Sequence, residues 1–298
     1  MAMKLVVLAL LALAILALGY FGVGLFVAMR LTAAPDRQSV KQTPADVGLD
    51  YRRVSFPSTD GLDLAGWWVP EDDPSWAVVL VPGLEGDKSD QHVLETAPVY
   101  AQAGYSVLMI DLRAQGDSEG QRITMGYQEA RDVRGALAWL EERGFKHSEV
   151  IVHGWSMGAA AVLRAAPDTG VAAVVADSAY ADLPQILQGQ LPEASGLPPF
   201  FNSGVMLAAK VFLGLDPWAV RPEQEARRLC EEDVPLLIIH STGDELVPVE
   251  HARRLKEVCP KATFWRIEGY EHVGAYAHPE YQERLLGYLR TSKLEEST

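Results

Sequence analysis

Cysteine is nearly absent from this chain of 298 residues, which has only Cys230 and Cys259. Two cysteines cannot build a disulfide framework, and no metal-ligand spacing surrounds them, so a stapled or metal-held fold is excluded. They read as two unpaired thiols, with a single Cys230–Cys259 bridge as the alternative. Cys230 precedes one strand-like run and Cys259 ends the helix-like run after it, so both are expected at the lower edge of a sheet, away from any site. Positive charge is also scarce: 26 Lys and Arg stand against 40 Asp and Glu, a net charge of −14. Phosphate binding needs a basic face, so no nucleic-acid partner is expected, and the acidity reads as solubility. Internal repeats are missing. With 48% hydrophobic and 22% charged residues the composition is globular, and the length suffices to bury a core without cross-links.

Charge of either sign is missing altogether from Leu5 to Met29, 25 residues between Lys4 and Arg30. As a helix this run would reach about 37 Å, enough to cross a hydrocarbon layer of about 30 Å with some tilt. A cleaved signal peptide has a shorter apolar core, of about 7–15 residues. Residues 1–30 are therefore expected to form a retained single-span membrane anchor. The small residues of "LTAAP" (31–35) leave signal-peptide cleavage open. A buried soluble helix fits poorly, because the run is apolar on every face. Counting flanking charges puts the remainder on the cytoplasmic side; a short basic start followed at once by an apolar run favours the extracytoplasmic side, which is the expectation adopted.

Residues 31–50, polar and carrying two prolines, read as a linker. "YRRVSF" and "LDLAGWWV", separated by "PSTDG", read as an antiparallel hairpin. From 76 onward, strand-like runs (76–81, 105–112, 148–154, 171–178, 235–242, 263–269) alternate with helix-like ones (93–104, 127–144, 157–166, 251–258, 280–289). The predicted fold class is α/β: a mostly parallel central sheet with helices on both faces, over 51–292, leaving a tail at 293–298. Such sheets bind ligands at the carboxyl ends of their strands. A proline-rich stretch at 179–234 interrupts the alternation and reads as a small helical cap. Its Phe200, Phe201, Met206, Phe212 and Trp218 either line an acyl-shaped pocket or pack the cap onto the body, and packing is the commoner role of such residues.

Gly-x-Ser-x-Gly occurs twice, around Ser118 and around Ser156. A nucleophile elbow is a strained turn that leads from a strand straight into a helix, with glycines permitting the close approach. Ser156 fits: "VIV" runs into Gly154, and Gly158 and three alanines open a helix. Ser118 lies in a loop and is set aside. A serine hydroxyl needs a base, and the base needs an orienting carboxylate. In this fold they follow in the order Ser, Asp, His, each after a later strand. "IIHSTGDELVP" supplies Asp244 and "RIEGYEHVGAY" supplies His272. Asp177, also after a strand, is the rival acid, with a turn or cap role as its alternative. The other histidines, His92, His147, His153, His240, His251 and His278, lie within strands, at helix starts or in a turn. An oxyanion needs preorganised N–H donors. Met157, after the nucleophile, and Leu84, in the turn "PGLEGDKSD", are the candidates, and Glu85 should point outward, since an inward carboxylate would oppose an oxyanion.

"VPGLEG", "DLRAQGDSEG", "GWSMG", "STGDELVP" and "EHVGAY" resemble the α/β-hydrolase superfamily, specifically its membrane-anchored members related to monoglyceride lipases and the serine aminopeptidase group. The resemblance covers about 50–292. It implies that the Ser118 loop is structural, and it departs from many relatives at Pro82, where they carry histidine. The activity so implied is a serine hydrolase cleaving carboxylic esters or thioesters through an acyl-enzyme on Ser156, His272 and Asp244, without cofactor or metal. The expected partners are a small acyl substrate, lipids included, and a membrane. A peptidase or acyltransferase on the same triad is the alternative; a peptidase for free N-termini would need acidic residues near Ser156, with Glu193 and Glu223 as candidates. A non-catalytic binding protein is the remaining reading, which a whole triad disfavours.

Overall fold

The computed structural model describes residues 1–35, 40, 42–72 and 75–291. The expected tail at 293–298, and Arg37 and Lys41 of the linker, lie outside the described residues. The described chain divides into two compact units. One comprises Met1–Ala33 with Leu183–Ala219; the other comprises Ala34–Asp182 with Val220–Thr298.

The larger unit is built on an eight-stranded sheet. The strands are β1 (Arg52–Pro57), β2 (Asp63–Val69), β3 (Trp76–Val81), β4 (Tyr105–Ile110), β5 (Val150–Trp155), β6 (Ala173–Asp177), β7 (Leu236–Ser241) and β8 (Thr263–Ile267), in the order β1-β2-β4-β3-β5-β6-β7-β8. The hairpin β1–β2 pairs antiparallel, and β2 meets β4 antiparallel. All later pairings are parallel. Continuous apolar strands of this kind are buried on both faces, and β4, β5, β6 and β7 are buried along their whole length.

Helices cover both faces. In chain order the helices are α1 (Ala2–Leu31), α2 (Gln91–Ala101), α3 (Glu129–Glu141), α4 (Met157–Ala165), α5 (Leu183–Ser195), α6 (Asn202–Leu213), α7 (Pro222–Glu231), α8 (Glu250–Val258) and α9 (Tyr281–Thr291). Val79, Val152 and Val174 point into the core with Val133, Ala161, Leu229 and Leu255 of α3, α4, α7 and α8. The alternate strand residues Val78, Ile151 and Val175 point the other way, onto Leu94 of α2 and Leu285 of α9. The period-two alternation of a strand thus builds two apolar layers from one sheet. Within the expected linker, Pro44–Val47 form a 3₁₀ turn, and Val40, Val47 and Leu49 pack on the second layer. Residues 220–231, expected within the cap, belong to the sheet-bearing unit, where α7 packs against α8.

The smaller unit contains α1, α5 and α6. A 30-residue helix of this composition is long and apolar enough to cross a membrane, a property that N-terminal signal sequences share. Cys230 and Cys259 are free thiols. Burial and a hydrogen bond with Cys230 push the Cys259 thiol up to about 11.

Candidate active site

The site lies in the larger unit, where β5 ends and α4 begins. Ser156 occupies that bend at φ +53° and ψ −115°, a conformation few L-residues adopt. The neighbouring glycines make the bend possible. A Cβ on Gly154 would lie 2.4 Å from the carbonyl oxygen of Gly158, and one on Gly158 would lie 2.3 Å from those of Val81 and Pro82. Strand, helix and the end of β3 therefore meet at backbone contact. The Ser156 amide donates to the carbonyl of Asp177 (2.9 Å), tying the bend to β6.

Three expected residues come together here. His272 Nε2 is 2.8 Å from Ser156 Oγ, and His272 Nδ1 is 2.7 Å from Asp244 Oδ2. An ionised carboxylate only accepts, so the proton sits on Nδ1 and Nε2 is left to accept from the serine. Asp244 lies in the turn after β7. Its Oδ1 accepts from the amides of Leu246 (3.1 Å) and Val247 (2.8 Å), and His240 Nε2 stands 3.3 Å from Oδ2. Burial alone would raise the Asp244 carboxyl, but its hydrogen bonds with His240 and His272 prevail and hold it down at about 2. It is charged wherever imidazole chemistry operates.

Asp177 does not reach His272. Its Oδ1 accepts from Ser178 Oγ (2.9 Å), and Ser178 Oγ accepts from the amide of Val273 (3.2 Å). Val273, a β-branched residue, is held at φ +52° beside His272, and Ser178 at φ +54°. Asp177 and Ser178 thus brace the turn that carries His272. Burial pushes the Asp177 carboxyl up to about 7. The sequence offered no signal for this brace beyond a polar pair after a strand.

Met157 is the first residue of α4, whose N-terminus faces the bend. The turn after β3 lies alongside: a Cβ on Gly83 would be 3.5 Å from Ser156 Cβ. Gln115 Nε2 donates to the Gly83 carbonyl (3.2 Å), fixing the peptide that leads into Leu84. Lys88, further along the turn, is buried with Asp111, which accepts from the Lys88 amide (2.8 Å) and ammonium. Glu85, at φ +58°, is exposed, in keeping with the outward direction expected for it.

Ser118 is fully buried; its Oγ donates to the Asp111 carbonyl (2.8 Å) and accepts from the Ala65 amide (2.9 Å). It is a bolt between a loop and β2. His153 stacks on Trp155 at 4.0 Å and takes part in a hydrogen bond with the Tyr100 hydroxyl (3.1 Å). Burial keeps its imidazole neutral. Glu223 is committed to Arg254, whose Nε donates to it at 3.1 Å. Glu193 is exposed on α5 in the smaller unit.

Comparison with known proteins bears on the family and the fold. Residues 36–277 match the family model described as X-Pro dipeptidyl-peptidase (S15 family). The Bacillus subtilis protein YqkD is 26% identical over 235 residues, spanning 77% of this chain and 75% of its own. The Arabidopsis thaliana alpha/beta hydrolase domain-containing protein WAV2 is 26% identical over 243 residues, 78% of this chain and 76% of its own. Among solved structures, an esterase of Pyrococcus furiosus superposes with a TM-score of 0.70 at 24% identity, covering 87% of this chain and 98% of that one. Est1E of Butyrivibrio proteoclasticus, solved with ferulic acid bound, gives 0.62 at 19% identity, covering 80% and 100%. With its sheet order, its strained strand–helix bend and a family match over most of its length, the chain is a hydrolase of the α/β-hydrolase superfamily and belongs to the S15 family.

Proposed function

We propose that the protein is a serine esterase held to a membrane by α1, with Ser156 as nucleophile, His272 as base and Asp244 as its orienting acid. The observation that carries this reading is the unbroken relay Oγ–Nε2 at 2.8 Å and Nδ1–Oδ2 at 2.7 Å on a strained serine. Ser156 Oγ attacks the ester or thioester carbonyl as its proton passes to His272 Nε2. The imidazolium forms against the Asp244 carboxylate, and the Leu84 and Met157 amides receive the oxyanion. His272 then protonates the leaving alkoxide or thiolate, giving the acyl-serine. Water, deprotonated by the same nitrogen, adds to the acyl carbon, and Ser156 leaves with its proton restored.

A dipeptidyl-peptidase reading follows from the description of the matching family. It needs an acidic group free to bind a substrate ammonium. Arg254 already engages Glu223, which favours the ester reading. Hydrolysis of p-nitrophenyl esters of two to twelve carbons, set beside Xaa-Pro-p-nitroanilides, separates the two. Ester turnover that vanishes in Ser156→Ala supports the esterase; cleavage of the anilides alone supports the peptidase.

A further inference from the structure

The surface of α1 changes character along its length. Residues 1–19 are all exposed, and from 5 to 19 they carry no charge. The exposed uncharged residues 5–19 rise about 22 Å as a helix, most of the hydrocarbon thickness of a bilayer, and the Lys4 side chain can snorkel to the far interface. From Tyr20 onward one face of the helix is covered by the insertion Leu183–Ala219, burying Gly24, Val27 and Ala28, while Val23, Phe26 and Met29 on the other face stay exposed.

That cover is closely fitted. A Cβ on Gly24 would lie 2.8 Å from the Gly204 carbonyl oxygen, and one on Gly204 would lie 2.5 Å from the Tyr20 ring. Gly24 and Ala28 on α1, and Gly204 and Ala208 on α6, are buried small residues at i and i+4, the spacing that lets helices approach closely inside membranes. The Tyr20 hydroxyl donates to the Phe200 carbonyl (2.8 Å), and its ring stacks on Phe201 and Phe200 at 5.2 and 6.4 Å. Tyr20 meets residues 200, 201 and 204, whereas Gly24 meets 204 and 205, so the two helices run in the same sense. The tip 197–201, "LPPFF", is therefore the part of the insertion nearest the bare apolar run. Residues 194–209 contain no charge, and Phe200 is 64% exposed.

We propose that the insertion is a membrane-docking module, with the tip 197–201 seated in the headgroup–acyl boundary of the bilayer that α1 spans. Tyr20, Phe21 and Phe200 then lie where a bilayer meets water, the depth at which amphipathic aromatic rings are favoured. Signal-peptide function requires only an apolar run, and places no demand on a glycine interlocked with a residue 180 positions later. Such an interlock has a use only where α1 stays in the mature protein. This inference rests on the reading of α1 as a retained span.

The test uses the full chain reconstituted in vesicles of phosphatidylcholine and phosphatidylglycerol. Cys230→Ser and Cys259→Ala remove the native thiols, and an environment-sensitive nitrobenzoxadiazole probe is attached through Phe200→Cys or, as a control, Glu257→Cys. An apolar element at the boundary sits about 5–10 Å deep. The probe at 200 should emit to the blue of the one at 257, and a shallow doxyl-lipid should quench it several-fold more. Equal emission and quenching at the two positions, in a membrane-bound chain of full mass, would overturn the docking proposal and leave the anchor intact. A mature chain whose mass lacks α1 would overturn both. Fluorophosphonate labelling of the same vesicles reports on the esterase separately.

Discussion

Replacing Gly158 by alanine places one methyl where the site has no room. The added Cβ would stand 2.3 Å from the carbonyl oxygens of both Val81 and Pro82 and 3.0 Å from the Pro82 carbonyl carbon. All three are backbone atoms, so no side chain can swing aside. Optimal heavy-atom separation begins at about 3.5 Å, so the added carbon would sit about 1.2 Å too close. Relief requires α4 and the end of β3 to separate by roughly that amount. Overpacking of this kind costs about 1–3 kcal/mol. At about 2–4 °C per kcal/mol for a domain of this size, the Tm should fall by several degrees. The larger effect should be on turnover. Ser156 caps α4 and Met157 opens it, and the segment after β3 carries Gly83 and Leu84. Their separation moves the two proposed oxyanion donors apart, and a misplacement of about 1 Å costs on the order of 100-fold. The assay is kcat and KM on a p-nitrophenyl ester, with Tm and circular dichroism on the same preparation. Gly287→Ala is the control, because a Cβ there meets nothing within 4 Å. A Gly158→Ala protein with unaltered kcat and Tm would refute the claim that backbone contact at this bend sets the site.

Other perturbations separate the roles assigned above. Asp244→Asn should lower kcat by up to about 10⁴ through the wrong imidazole tautomer, whereas Asp177→Asn should keep most activity; the reverse ranking would make Asp177 the orienting acid. Asp177 also has a pH signature. Its folded pKa is raised from the ordinary carboxylate range to about 7, so its contribution to stability is present below about pH 4 and lost as pH rises through 7. Asp177→Asn should thus raise Tm relative to wild type at pH 8 by more than at pH 4, and a constant difference would contradict this. The opposite sign holds for Asp244, whose stabilisation is complete above pH 4 and lost as pH falls towards 2; Asp244→Asn should narrow the gap to wild type in acid melts. Lys88→Met leaves the fully buried Asp111 without its cation and should cost about 3–5 kcal/mol in urea unfolding; an unchanged midpoint would show that the pair is not stabilising the turn.

Much of this architecture was legible because each signal was local. A run such as "WAVVLV" has one way to be satisfied, a strand covered on both faces, and "HGWSMGAAA" couples a strand end to small residues that only a tight bend requires. The order Ser156, Asp244, His272 then followed from where strands stop. What escaped the sequence was contact between distant residues. Gly24 and Gly204 are 180 positions apart, and a helix apolar on every face gives no hint of which side is packed. Asp177 and Asp244 look alike in sequence, each a carboxylate near the carboxyl end of a strand. Only three-dimensional placement shows that one contacts Ser178 and the other contacts His272. Proline punctuation makes residues 220–231 look continuous with the cap, yet Pro222 merely starts α7, a position where proline costs nothing.

The most direct measurement of the central claim is active-site labelling with a fluorophosphonate, read by intact mass and by tryptic mapping, on wild type and Ser156→Ala. The expected result is one adduct per chain on the peptide carrying Ser156, with none on the variant. Equal labelling of the two proteins, or an adduct on another serine, would contradict it.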